Sequence, residues 1–156
     1  MQFINQKIPD IILIKPNIYG DKRGYFVETF REDLFEGYLG YKINFIQDAE
    51  SKSSKGVLRG LHYQEEPYSQ SKLIFAVSGK ILDIVVDIRK NSKTYGQSYN
   101  ITLDSKNNLG VLVPERCAHG IFSYDESIYA CFTQEVYSPE DEKGISWSSI
   151  KDFIHL

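Results

Sequence analysis

The stretch LIFAVSGKILDIVVDI, residues 73–88, decides the fold. Two short runs rich in β-branched and aromatic residues, 73–77 and 81–88, flank the tripeptide Ser78-Gly79-Lys80. Such runs favour β-strands, and a glycine between them is a turn signal. The pattern therefore predicts two consecutive strands joined by a hairpin turn at residues 78–80.

The same pattern recurs along the rest of the chain. Turn signals such as Asn107-Asn108-Leu109-Gly110 separate further period-two segments, at residues 11–14, 25–30, 57–63, 99–103, 111–113, 120–122 and 129–136. Residues 31–39 form the one plausible helix. Many short, evenly spaced strands are typical of a closed or double-sheet β architecture. We predict an all-β, cupin-type jelly roll with one or two short helices, built as one domain over residues 1–156.

Composition narrows the classes of partner. The net charge of −3 argues against broad nucleic-acid binding, which needs a basic face. No apolar run approaches the ~20 residues of a membrane span, and residues 1–7 lack the apolar core of a signal peptide. Two cysteines, Cys117 and Cys131, without a paired spacing pattern fit a reducing compartment. We expect a cytoplasmic protein with no membrane or nucleic-acid partner.

The segment GVLRGLHYQ, residues 56–64, carries the chemistry. It places a guanidinium, an imidazole and an amide on one strand, which suits proton removal from an anionic substrate. An ordinary surface or hydrogen-bonded role stays open for each of these residues. Arg59 and His62 are three residues apart, so in a regular strand their side chains point to opposite faces of the sheet. Both can face one pocket only if the strand pairing is locally distorted. Gly60 is the natural place for a bulge.

Seven blocks in order resemble the dTDP-4-dehydrorhamnose 3,5-epimerase family. They are RGYFVETF (23–30), GVLRGLHYQ (56–64), QSKL (70–73), GKILDIVVDIR (79–89), TYG (94–96), VPERCAHG (113–120) and YSPEDE (137–142). Ordered blocks with sensible spacing are more specific than any one motif. The resemblance implies a cofactor-free, usually dimeric jelly-roll enzyme that inverts the carbons flanking the C4 ketone of a 4-keto-6-deoxy sugar nucleotide.

The resemblance also implies roles for individual residues. His62 matches the base, and Lys72 matches the cation that holds the C4 oxygen and the enolate charge. Arg23 and Arg59 match positions that meet the sugar and diphosphate, where a planar guanidinium suits phosphate oxygens. The remaining matches are substrate contacts at Phe26, Glu28 and Gln47, a carboxylate–imidazole pair at Asp83 and His119, and a tyrosine beside the nucleotide base at Tyr137. Asp83 could instead satisfy a buried backbone group, and Tyr137 could be ordinary core.

Three departures from the family pattern bear on mechanism. Ala49 stands where the family usually has an asparagine, and Cys131 stands at the position of its tyrosine acid. The nearest tyrosine on the same strand face is Tyr129, two residues earlier. Family members continue to a Ser-x-Lys-Asp element whose aspartate orients the base. Residues 149–152 reproduce it after a deletion, so Asp152 could supply that carboxylate, or be a surface residue.

Several alternatives remain open at this point. A metal-dependent oxygenase needs clustered imidazoles, commonly His-x-His, whereas this chain offers His62-Tyr63-Gln64, and we expect no metal. A non-catalytic sugar-nucleotide binding module and a C3-only epimerase, on thymidine or guanosine diphosphate sugars, both fit the losses at Ala49 and Cys131. We also expect a homodimer formed through β-strands, with residues 11–14 pairing across a subunit edge.

Overall fold

The computed structural model describes residues 1–149, and within them two antiparallel sheets pack face to face. The six-stranded sheet runs, in spatial order, β1 Gln2–Asn5, β2 Ile12–Lys15, β10 Gly110–Val113, β7 Lys72–Ser78, β12 Ser127–Thr133 and β5 Gln47–Ser53. The five-stranded sheet runs β13 Glu142–Gly144, β6 Leu58–Gln64, β11 Cys117–Ser123, β8 Lys80–Asp87 and β9 Ser98–Asp104. This arrangement confirms the predicted all-β jelly roll.

Three smaller elements complete the described chain. A separate ribbon pairs β3 Ile18–Asp21 with β4 Gly24–Val27, and a 3₁₀ turn spans Trp147–Ser149. The predicted helix is present as α1 Glu32–Leu39, with two acidic residues in its first turn and Gly40 in the left-handed conformation at its end. No helix in residues 1–149 has the length and apolar character needed to cross a membrane.

The predicted hairpin at residues 78–80 is wrong, because β7 and β8 belong to different sheets. Gly79 carries the chain around the corner between them with a φ of 74°, and a Cβ there would clash with the carbonyl oxygen of Glu126. Residues 107–110 likewise join β9 to β10 of the opposite sheet. Between β5 and β13, only the β8–β9 connection stays within one sheet. Local sequence specifies a reversal of the chain but not the next strand's partner.

The apolar core has three layers. One cluster lies between the sheets and includes Ile74 of β7 and Val85 of β8. The outer face of the first sheet packs against Phe35 of α1, and that of the second packs against Ile145 and Trp147. Because both faces are covered, β7 and β8 are nearly continuous apolar runs rather than alternating ones.

The sequence pattern misses four strands, β1, β3, β5 and β13. The strand β5, with the sequence QDAESKS, is the most informative of these because it has no apolar alternation. The structure also corrects the predicted subunit contact at residues 11–14. The strand β2 lies between β1 and β10, so its backbone is already paired within the chain and it is not an edge.

Candidate active site

A cavity of about 220 Å³ opens between the two sheets and brings together five of the predicted site residues. They are His62, Lys72, His119, Tyr129 and Tyr137, and the other lining residues are Ala49, Ser51, Tyr63, Gln64, Gln70, Cys131, Thr133 and Glu142. A larger cavity of about 620 Å³ shares Tyr63 and Gln64 with this one but is lined by neither His62 nor Lys72. Its arginines are already paired with carboxylates, so the smaller cavity is the better candidate for chemistry.

One wall of the cavity consists of three neighbouring strands, β5, β12 and β7, whose inward residues form rows. The rows are Gln47–Thr133–Lys72, Ala49–Cys131–Ile74 and Ser51–Tyr129–Ala76. Polar side chains flank a middle row that offers only a methyl, a thiol and an aliphatic group. Ala49 and Cys131, noted separately in the sequence, are therefore direct cross-strand partners. The inward face of β5 lines this cavity rather than the core, which explains its polar sequence.

Lys72 begins β7 and presents its ammonium to the cavity. Within residues 1–149, Nζ makes no hydrogen bond and no ion pair. Burial lowers the pKa of Lys72, and the nearby Cys131, Glu142 and Asp83 oppose this shift. A partly buried cation without a partner is unfavourable unless a ligand supplies the missing oxygen.

The strand β6 is distorted where the sequence predicts it. His62 pairs with His119 and Arg59 pairs with Ile121, so three steps on β6 oppose two on β11. Gly60 has a φ of 92°, and a Cβ there would lie 2.5 Å from the carbonyl oxygen of His119. This confirms the bulge at Gly60.

The bulge directs His62 into the cavity but leaves Arg59 outside its lining. Arg59 Nε donates to Ser53 Oγ at 2.8 Å, and Nη2 donates to the Lys52 carbonyl at 2.9 Å. Burial lowers the pKa of His62, the Lys72 ammonium lowers it further, and Glu142 opposes both. The imidazole is therefore neutral at pH 7 and able to accept a proton.

Asp83 and His119 form a buried pair, with 2.8 Å between Asp83 Oδ2 and His119 Nε2. Asp83 is fully buried, and its Oδ1 has no partner within the described chain. The structure joins the two residues that the resemblance pairs, whereas their contact with substrate stays a prediction. Across residues 1–149, no three His, Cys, Asp or Glu side chains are grouped as metal ligands.

Tyr129 and Cys131 project from β12 into the cavity. Burial raises the pKa of Tyr129, while the polar side chain of Ser51, its cross-strand neighbour, opposes the shift. Burial raises the pKa of Cys131 to about 11, against the effect of Lys72. Both groups are protonated at neutral pH, and the phenol is the better hydrogen-bond donor.

The rim of the cavity contains Glu142, to which the sequence analysis assigned no role. Its Oε1 lies 3.9 Å from His62 Nδ1, and its Oε2 accepts a 2.7 Å hydrogen bond from the Tyr137 hydroxyl. Glu142 lies within the YSPEDE block, but its place beside His62 depends on pairing between β13 and β6. Tyr137 N donates to Gln47 Oε1 at 3.2 Å, so Gln47 supports the same rim.

Three predicted residues lie on or beside the β3–β4 ribbon and do not line this cavity. Arg23 pairs with Asp21 at 2.6 Å, Phe26 is 63% exposed on the β3–β4 ribbon, and Glu28 lies 4.0 Å from Arg31. Asp152 lies outside the described residues. The ribbon residues therefore do not contribute to the cavity of their own chain.

Comparison with known proteins agrees with this geometry. A family model described as dTDP-4-dehydrorhamnose 3,5-epimerase matches residues 5–154. The dTDP-4-dehydrorhamnose 3,5-epimerase of Shigella flexneri is 45% identical over 149 residues, which are 95% of this chain and 82% of that protein.

Two solved structures share the fold over most of their length. The dTDP-6-deoxy-D-glucose-3,5-epimerase of Legionella pneumophila, in complex with dTDP-4-keto-L-rhamnose, has a TM-score of 0.93 at 38% identity, covering 98% of this chain and 81% of that one. ChmJ, a 3'-monoepimerase of Streptomyces bikiniensis in complex with dTDP-quinovose, has a TM-score of 0.86 at 30% identity, covering 90% and 72%. With the jelly roll and the His62–Lys72 cavity in place, these matches show that the chain belongs to the dTDP-4-dehydrorhamnose 3,5-epimerase family of isomerases.

Proposed function

We propose that this protein inverts C3, C5 or both of a nucleotide-diphosphate 4-keto-6-deoxy sugar, in the supply of deoxysugar precursors. One observation carries the proposal: the Lys72 ammonium faces the cavity unpaired within residues 1–149, beside the imidazole of His62. A proton next to a ketone becomes removable when a cation stabilises the enolate oxygen and a base is held above the carbon. Those two groups are the ones this cavity supplies.

His62 acts as the base in this proposal. Its lowered pKa keeps the imidazole neutral at pH 7, so it can take the C3 or C5 proton. Lys72 holds the C4 oxygen and stabilises the negative charge that develops there. Both steps use protein side chains alone, so the proposed reaction needs no cofactor.

Reprotonation from the opposite face requires an acid, and we assign it to Tyr129. Its raised pKa keeps the hydroxyl protonated, and Ser51 lies directly opposite Tyr129 on the neighbouring strand. His119 and Tyr137, which line the cavity, and Gln47, which bonds to Tyr137, are proposed substrate contacts. Arg59 lies outside that lining and Asp83 is fully buried, so a substrate contact for these two is proposed from the family resemblance alone. Asp152 remains a candidate to orient His62.

The sites are proposed to be completed within a homodimer. The ribbon exposes three aromatic side chains, Tyr19, Tyr25 and Phe26, at 56%, 60% and 63%. Exposed aromatic patches commonly mark interaction surfaces. If Arg23, Phe26 and Glu28 contact substrate, as the family resemblance implies, the ribbon must reach the cavity of a second copy.

Subunit mixing and light scattering together test this arrangement. Arg23→Ala and His62→Asn proteins, each inactive alone, would form mixed dimers with one intact site. Dissociating and reassociating the two together should restore about a quarter of wild-type activity, since half of the dimers are mixed. A monomer mass at micromolar concentration, or no recovery on mixing, would exclude a shared site.

The reaction is tested by incubating the protein in deuterated water with thymidine and guanosine diphosphate 4-keto-6-deoxy sugars. NMR then locates deuterium at C3, C5 or both. Label at either carbon supports the proposal and identifies the nucleotide. Tight binding without label would instead show a sugar-nucleotide binding module.

A C3-only epimerase is the second candidate, and the pairing of Ala49 with Cys131 favours it. Inverting a second carbon requires the intermediate to be protonated and enolised again, and a positioned acid contributes ~10²–10⁴-fold to such a transfer. In the middle row of the wall, no described residue offers a hydroxyl or an amide. C3 is therefore the proposed preferred carbon. We also propose that the enzyme is cytoplasmic and that residues 1–156 form one domain.

A further inference from the structure

The β6–β13 pairing places Glu142 beside the base. Gly144 lies directly opposite His62, and Glu142 lies opposite Gln64 on the same strands. Glu142 and His62 are thus diagonal neighbours on one face of the sheet, a separation that long side chains span. Gly144 has no side chain to separate them, and Glu142 Oε1 approaches to 3.9 Å of His62 Nδ1.

A second set of contacts fixes Glu142 from behind. The Tyr137 hydroxyl donates to Glu142 Oε2 at 2.7 Å, leaving Oε1 for the imidazole. The turn between these residues is held by Ser138, whose N donates to Gln64 Oε1 at 2.9 Å and whose hydroxyl donates to Asp141 Oδ2 at 2.5 Å. Gln64 is only 4% exposed. Through Ser138, its side-chain amide ties the turn that carries Glu142 to β6, the strand of His62.

We propose that Glu142 is the positioning residue for His62, accepting a hydrogen bond from Nδ1–H so that Nε2 is the nitrogen that takes the substrate proton. This inference rests on the proposed function. The 3.9 Å separation is about 1 Å longer than a usual N–H···O hydrogen bond, and such contacts often tighten only when substrate binds. A carboxylate in this position fixes the tautomer and stabilises the imidazolium that forms. The resemblance gives that task to Asp152, whereas Glu142 is the carboxylate that the described structure places there.

Besides burial, four charged or titratable groups on β6 itself and on the strands around it act on the pKa of His62. Lys72 of β7, His119 of β11 and Arg59 of β6 lower its pKa, and Glu142 of β13 raises it. Removing the Glu142 charge should therefore lower the pKa of His62 further. The acid limb of the kcat/KM profile would then move to lower pH, while the plateau falls because the base is weaker and less well oriented.

The experiment combines two readouts on the full-length protein. NMR titration of the His62 ring, assigned with His62→Asn, reports its pKa and tautomer without substrate. Deuterium exchange measured from pH 5 to 9 gives the kinetic profile. Glu142→Gln is compared with Glu140→Gln, which removes the same charge from an exposed position two residues earlier.

Glu142→Gln should lower the His62 pKa, move the acid limb to lower pH and reduce the plateau at least ~10-fold, since a positioned base contributes ~10²–10⁴-fold. Glu142→Asp should return the acid limb toward wild type, and Glu140→Gln should change nothing. If Glu142→Gln matches Glu140→Gln in both readouts, the inference is refuted. An altered His62 tautomer and profile in Asp152→Asn alone would assign the role to Asp152.

The NMR readout separates this inference from the proposed function. If the wild-type protein exchanges no sugar proton, the proposed function fails. A lowered His62 pKa in unliganded Glu142→Gln would still establish the coupling between the two side chains. If the variant is poorly folded, Glu142→Thr provides the second probe, because threonine suits a β-strand and removes the same carboxylate. An unchanged His62 pKa in that variant would overturn the proposal.

Discussion

Replacing Lys72 with methionine is the sharpest test of the proposed chemistry. Methionine keeps an unbranched chain of similar length and removes the ammonium. Losing one preorganised donor at a developing oxyanion typically costs ~2.7–4 kcal/mol, which is ~10²–10³ in kcat. Because the charge on the C4 oxygen develops only in the transition state, kcat should fall by about that factor while KM changes little.

The same substitution should move the pH profile in a direction fixed by the structure. The Lys72 ammonium lowers the pKa of His62, so its removal raises that pKa. The acid limb of kcat/KM should therefore move to higher pH, opposite to the effect of Glu142→Gln. Initial rates of deuterium exchange from pH 5 to 9 measure both the limb and the plateau.

Stability should change in the opposite sense to activity. Burial lowers the folded-state pKa of Lys72 below its ordinary value of 10.5. A lysine shifted in this direction destabilises the fold fully at pH values below its folded pKa, and the penalty disappears as pH rises through 10.5. Lys72→Met should therefore melt at a higher temperature than wild type at pH 7, by about 2–4 °C per kcal/mol gained, and the difference should shrink toward pH 10.5.

Two results would refute this reasoning. A rise in KM with unchanged kcat would make Lys72 a uniform-binding contact rather than a stabiliser of the enolate. A lower melting temperature for Lys72→Met at pH 7 would show that the ammonium has a compensating partner in the folded protein.

The remaining predictions concern the base, the bulge and the acid. His62→Asn should abolish exchange of the sugar protons while circular dichroism and nucleotide affinity stay near wild type; unchanged turnover in the folded variant would exclude His62 as the base. Gly60→Ala should lower the free energy of unfolding by at least ~1–3 kcal/mol in urea titration, because φ is 92° and the new methyl meets the His119 carbonyl. A neutral result would mean that the bulge relaxes. Cys131→Tyr should raise the ratio of C5 to C3 deuterium incorporation, because it adds a phenol to the middle row opposite Ala49; an unchanged ratio would show that Tyr129 already serves both carbons.

The sequence predicts much of the site because its key residues lie in short local motifs. His62 and Lys72 occupy recognisable segments, and the three-residue spacing of Arg59 and His62 correctly indicates the bulge at Gly60. Glu142 could not be placed in the same way. Its position depends on pairing between strands about 80 residues apart, which local propensity does not specify.

The errors in the fold have the same origin. Gly79 is correctly identified as a turn, yet the chain there passes to the opposite sheet. The strand β5 is missed because its inward residues, such as Ala49 and Ser51, line a cavity and follow no apolar alternation. The predicted subunit edge at residues 11–14 is wrong because β1, a short strand without a clear pattern, pairs with β2.

The sheet-crossing connections have a consequence for synthesis on the ribosome. In the described chain, β5 pairs only with β12, and β6 pairs only with β11 and β13. A nascent chain that has emerged only as far as residue 116 therefore carries His62, the proposed base, on β6 and Lys72, the proposed stabiliser of the enolate oxygen, on β7. Neither strand yet has both of its neighbours. Such long-range closure slows folding and leaves strand edges open to other chains. The residues after 116 should thus set the rate of productive folding, and chains that stall before Ser127 should depend on chaperones.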